Sequence, residues 1–192
     1  MSNMFWQENL KLTLSCLIED DRRLRIAVVG VGQELRGDDA VGVYIARALK
    51  PLAEVERNLI VIDAGSTPEN IAGLLKQFHP DIVLIFDAVQ MNKNPGSVSW
   101  LSRDEITSAS ITTHTLPLSI FADFVRVELD CEVEIIGIQP LRTLLGSKMT
   151  EEMYRSIDSI IRVLTKVFVE FKVCQEPGDI TPQLLSPIEE RR

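Results

Sequence analysis

The chain has 192 residues, and its 20 Lys and Arg stand against 28 Asp and Glu for a formal net charge of −8. That length suits one α/β domain with short appendages, and a 45% apolar content is enough to fill its core, which excludes wholesale disorder. The acidic balance excludes a general nucleic-acid binder, which needs a basic face. In chain order, residues 4–18 first show an amphipathic helical pattern, with Phe5, Trp6, Leu10, Leu14 and Leu17 on one side. Residues 1–24 therefore read as a largely helical N-terminal extension. Arg25 to Gly32 is a nearly unbroken apolar run ending in glycines, the pattern of a strand buried on both faces of a parallel sheet. Asp38 reads as the N-cap of a helix that turns Val41, Ile45, Ala48 and Leu49 inward and stops before Pro51.

Leu59 to Gly65 is the second strand. Ser66-Thr-Pro-Glu69 fits a capping box opening a helix that runs to about Phe78. Asp81 to Asp87 is a third buried strand and Gly96 to Ser102 a fourth. Only about seven residues join these two, whereas a parallel crossover needs about a dozen, so the fourth strand runs antiparallel. Pro117 to Leu129 reads as a helix with Ile120, Phe121, Phe124 and Val125 apolar. Glu132 to Pro140 is the fifth strand. The last helix starts near Thr150 and runs to about Lys172 on a stripe from Met153 to Phe168. The expected fold is a three-layer α/β/α sandwich over residues 25–172. Its five-stranded sheet is mostly parallel, with strand four (about 96–102) reversed, and residues 173–192 form a tail.

Other features bound the function. Cys16, Cys131 and Cys174 are far apart with no C-x-x-C pair, which fits buried thiols in a reducing compartment. No run approaches the ~18 apolar residues of a membrane span. Glu8, Glu19, Asp20 and Asp21 interrupt the start of the chain, unlike a secretory signal. These features predict a cytoplasmic protein. Only His79 and His114 are histidines, so a three-histidine metal centre is unavailable. His79, next to Pro80 at a helix end, reads as structural.

Polar and glycine residues gather at the strand ends: Gly30, Gly32 and Gly37-Asp38-Asp39 after strand one, Asp63 and Gly65 at strand two, Asp87 at strand three, Gln139 at strand five. Parallel strands end on one edge of the sheet, where open α/β folds place ligands. Asp39, Asp63 and Asp87 are thus expected to converge there, with His114 beside them. Two carboxylates and an imidazole, Asp39, Asp87 and His114, suit a borderline divalent ion and leave positions open for water or substrate. Gly30-Val-Gly-Gln-Glu-Leu35 also invites a dinucleotide reading, with Asp63 as the ribose acid. Leu35 stands at the third glycine position, however, and Glu34, Asp38 and Asp39 would repel a pyrophosphate. Neither a P-loop nor a G-x-S-x-G elbow is present.

Several segments in order resemble the NiFe-hydrogenase maturation proteases. They are Gly30-Val-Gly-Gln-Glu-Leu-Arg-Gly-Asp-Asp-Ala-Val-Gly42, Asp63-Ala-Gly65, Asp87 before Asn94-Pro-Gly96, Thr113-His114 and Gly137-Ile-Gln-Pro140. The Thr113 to Ser119 and Pro68-Glu-Asn70 segments are similar to the hydrogenase 3 branch. The resemblance implies an endopeptidase that removes a C-terminal extension from the precursor of a hydrogenase large subunit once nickel is inserted. It implies Asp39, Asp87 and His114 as the catalytic, metal-contacting set and Asp63 as a catalytic helper. A substrate-contacting group follows from the same motifs: Gly30, Gly32, Gly37, Asp38, Gly65 and Thr113. Nickel would arrive with the substrate, while other divalent ions can occupy the site in isolated protein. The expected partner is the large-subunit precursor, with no nucleic acid and no membrane span, and the chain is expected as a monomer or weak dimer. Alternatives are a non-cutting nickel chaperone of hydrogenase assembly and a metallohydrolase with its own permanent metal.

Overall fold

The computed structural model of the chain describes residues 2–18, 22–102, 105 and 117–173. In order these form α1 (Ser2–Leu17), β1 (Ile26–Val31), α2 (Val41–Val55), β2 (Leu59–Gly65), α3 (Ala72–Phe78), β3 (Ile82–Ala88), β4 (Val98–Leu101), α4 (Leu118–Leu129), β5 (Glu132–Ile138) and α5 (Glu151–Glu170), with 3-10 turns at Glu34–Ala40 and Pro68–Ile71. The five strands form one sheet in the order β2-β1-β3-β5-β4. β1 pairs in parallel with β2 and β3, and β3 with β5. β4 alone is antiparallel, on the edge beside β5, with Val98 opposite Ile138 and Leu101 opposite Ile135. Its reversal follows from the short connection after β3, which cannot carry a chain back to the sheet's starting edge.

Every residue of β1 is buried because helices cover both faces of the sheet. On one face α1, α2 and α5 bring Trp6, Leu10, Ile45, Leu49, Ile160, Leu164 and Phe168 onto Ile26, Val28, Leu84 and Phe86. On the other, α3 and α4 bring Leu75, Phe121 and Val125 onto Ala27, Val29, Val83 and Ile85. The extension is thus part of the core, and α1 lies against β4. Of the tail, only Val173 falls within the described residues, and it is fully buried.

Several expected details differ. α2 begins at Val41, and its N-cap is Ala40 with no side-chain cap bond. Asp38 has stronger partners elsewhere. α2 also runs through Pro51 to Val55. The proline leaves the Arg47 carbonyl without its helical donor, but buried Leu49 and Leu52 hold the turn together. The capping box at Ser66–Glu69 is replaced by the 3-10 turn, where the Asn70 side-chain amide donates to the Thr67 hydroxyl at 3.1 Å. Phe5, Ile120 and Phe124 face solvent, on the outer flanks of their helices. Cys16 is exposed and Cys131 buried, where burial pushes the Cys131 thiol up to about 11; Cys174 lies outside the described residues. His79 is the exposed, left-handed C-cap of α3 with φ 50°.

One carboxylate in the sheet is held at a cost. Burial raises the pKa of Glu134 of β5, against the opposing pull of Arg126 and the Trp100 indole N–H. A raised carboxylate pKa stabilises the fold below the unfolded value of 4.5 and loses that contribution as pH rises through the folded value. Glu134→Gln is therefore expected to raise Tm at pH 7 and to leave it unchanged near pH 4, as read by thermal melts at both pH values.

Candidate functional site

The turn Glu34–Ala40 carries the first acidic residues. It kinks at Arg36 and Gly37, the latter at φ 59° and ψ −118°. A side chain at Gly37 would also strike the Ser147 hydroxyl at 2.5 Å and the Arg142 carbonyl at 2.8 Å. The turn lies over the end of β1: a Cβ on Gly32 would sit 1.9 Å from the Asp39 carbonyl, so only glycine lets the two segments meet. The Gln33 backbone N–H donates to Asp39 Oδ2 at 3.1 Å. Asp39 is 5% exposed, and the first turn of α2 follows it directly, so the helix's positive end offsets part of the cost of burying its charge. The same turn also rests against β3.

Asp87, near the end of β3, is 1% exposed, and its Oδ1 accepts the Ala88 N–H at 2.8 Å. It stands opposite Gly137 of β5. Beside it, Gln139 is 2% exposed and fastens the loop that leaves β3. Its carbonyl oxygen accepts the Met91 and Lys93 N–H groups at 2.7 and 3.2 Å, and its amide donates to Gln90 and to the Pro140 carbonyl. The structure thus brings two buried carboxylates, Asp39 and Asp87, to the C-terminal edge of the parallel strands.

Asp63 does not join them as expected. It pairs with Gly30 of β1, which pairs on its far side with Phe86. Asp63 and Asp87 are therefore two strand spacings apart, about 10 Å. Residues alternate between faces along a strand. Asp63 shares the face of Leu59 and Val61, under α2, whereas Asp87 shares that of Val83 and Ile85. Asp63 is tied instead to Arg47 of α2, whose Nε donates to its Oδ2 at 2.9 Å. The same guanidinium grips both carboxylate oxygens of Glu34. That bond is the main reason the Glu34 pKa is lowered and the Arg47 pKa raised. Gln139 is marked in the sequence by its place at the end of strand five, whereas Arg47 carries no strand-end motif and shows only as a cation flanked by Ala46 and Ala48 on α2.

Asp38 is fully buried. Its carboxylate accepts the N–H groups of Leu141 (2.9 Å), Arg142 (3.1 Å) and Thr150 (2.7 Å), and the Thr150 hydroxyl at 2.9 Å. It clamps the 141–150 loop to the turn that carries Asp39. Gly30 and Gly32 lie in and just beyond β1, and Gly65 accepts the Gly32 N–H at 2.9 Å. Thr113 and His114 lie outside the described residues. Among the described residues no three His, Cys, Asp or Glu side chains group as metal ligands, and no helix is long and apolar enough to cross a membrane.

Comparison with known proteins agrees with this architecture. A family model described as hydrogenase maturation protease matches residues 43–167. The hydrogenase 3 maturation protease of Escherichia coli K12 is 33% identical over 135 residues, covering 70% of this chain and 85% of that protein. The crystal structure of a NiFe hydrogenase maturation protease, HycI, from Thermococcus kodakarensis superposes with a TM-score of 0.69 at 27% identity, over 77% of this chain and 94% of that one. The solution structure of an endopeptidase HycI from Escherichia coli gives 0.64 at 29% identity, over 77% and 92%.

Proposed function

Because this chain belongs to the hydrogenase maturation protease family and is an endopeptidase, we propose that it removes a C-terminal extension from the precursor of a NiFe-hydrogenase large subunit after nickel has been inserted. The observation that carries this reading is the pair of buried carboxylates, Asp39 and Asp87, at 5% and 1% exposure on one strand-end edge. Burying carboxylates is costly, and sites that break the rules of stability are where function is expected. Two carboxylates, completed by the imidazole of His114, suit a borderline divalent cation. In this reading the nickel belongs to the substrate, and these three side chains contact it while it is still bound by the precursor. A metal so held polarises the scissile carbonyl, and a carboxylate of the pair takes the proton of the attacking water. Asp63, tethered by Arg47 on the other face of the sheet, orients the peptide. The reaction runs in the cytoplasm, with the enzyme a monomer or weak dimer.

The test is cleavage of nickel-loaded and nickel-free precursor by wild type and His114→Ala, followed by the size shift of the large subunit. Wild type is expected to cut only the loaded form, and His114→Ala neither. Equal cutting of the nickel-free form would remove the metal from recognition, and precursor bound but never shortened would make the chain a chaperone.

A further inference from the structure

Four large apolar side chains stand in solvent beside the acidic edge: Leu35 at 65% exposure, Leu141 at 57%, Leu144 at 70% and Leu145 at 72%. They come from two segments far apart in sequence that are fastened into one surface. The Gly146 N–H donates to the Leu35 carbonyl at 2.7 Å and the Asp38 N–H to the Arg142 carbonyl at 2.9 Å, while the Asp38 carboxylate holds Leu141, Arg142 and Thr150. The Ser147 hydroxyl closes the loop back on the Leu144 carbonyl at 2.5 Å. Leu35 lies in the turn that carries Asp39, so this apolar rim is continuous with the candidate site. Two exposed cations, Arg142 and Lys148, share the loop in a chain whose net charge is −8.

Leaving leucines in water on a fastened loop has an energetic cost that a partner's surface would remove, and a preformed surface loses little entropy on binding. We infer that the rim of Leu35, Leu141, Leu144 and Leu145 is the docking surface for the polypeptide substrate, receiving an apolar segment with acidic residues next to the bond to be cut. The occupant follows from position and charge. An endopeptidase must seat polypeptide on both sides of the scissile bond, and this surface adjoins the edge where Asp39 and Asp87 sit. Its cations match acidic residues on the substrate, whereas a second copy of this acidic chain would also seal the crevice. This inference rests on the function proposed above.

Leu144→Asp/Leu145→Asp is compared with Val127→Asp, a change at an 84% exposed residue of α4, in steady-state cleavage of nickel-loaded precursor. The rim variant is expected to raise KM at least 10-fold with kcat within 2-fold, an unchanged Tm and an unchanged elution volume in gel filtration. Val127→Asp is expected to match wild type. An unchanged KM for the rim variant, an equal effect of Val127→Asp, or a rim variant that alters only the self-association of the free chain would each overturn the docking surface. Failure of wild type itself to cut the precursor would instead overturn the function on which it rests.

Discussion

Asp87→Asn is expected to slow cleavage of nickel-loaded precursor by about 100-fold or more, in the range typical of losing a general acid–base group, while Tm falls by no more than a few degrees. The substitution keeps the shape and the oxygen that accepts the Ala88 N–H, but removes the negative charge that the proposed contact with a divalent cation and an attacking water calls for. Asp39→Asn is expected to behave alike, since the amide oxygen still accepts the Gln33 N–H. Single-turnover cleavage followed by gel shift, with thermal melts on the same samples, separates the two readouts. Retention of half the wild-type rate by either variant would remove that residue from the reacting centre.

Asp38→Ala has the opposite profile, with its main effect on stability. Four donors converge on one fully buried carboxylate. Bonds to a charged acceptor are the strong class, and orphaned donors add a desolvation penalty. Leu141 and Arg142 are exposed and can turn to water, so the loss is about 3 kcal/mol rather than the sum over four bonds. For a chain of this size that lowers Tm by roughly 6–12 °C. Asp38→Asn, which keeps both shape and one acceptor, is expected to lose less. A melting temperature for Asp38→Ala within 1 °C of wild type would show that the 141–150 loop holds itself.

The strands could be read directly because β1 and β3 are covered on both faces and so are almost wholly apolar. The reversal of β4 could be read from the length of one connection. The meeting of Asp39 and Asp87 on one edge follows from parallel strand direction alone. What could not be read depended on register and on partners remote in sequence. Which face Asp63 takes relative to Asp87 is decided by the pairing of Gly30 with both Asp63 and Phe86, and no local pattern reveals that pairing. Asp38 looked like a helix cap because local donors are what a sequence displays. Its actual donors are 103 to 112 residues further on. Pro51 stayed within α2 because burial of Leu49 and Leu52 outweighs one missing hydrogen bond, a balance set by the core. Arg47 became legible only once α2 lay across β2.

The remoteness of those donors has a consequence for how the protein is made. Chains emerge from the ribosome N-terminal end first, so Asp38 and Asp39 are synthesised long before the segment that clamps their turn. β5, the neighbour of Asp87, also comes late. A nascent chain that stops short of Thr150 therefore carries the acidic residues without the clamp that fixes their geometry. The clamp on the acidic turn thus closes only once Thr150 has been made.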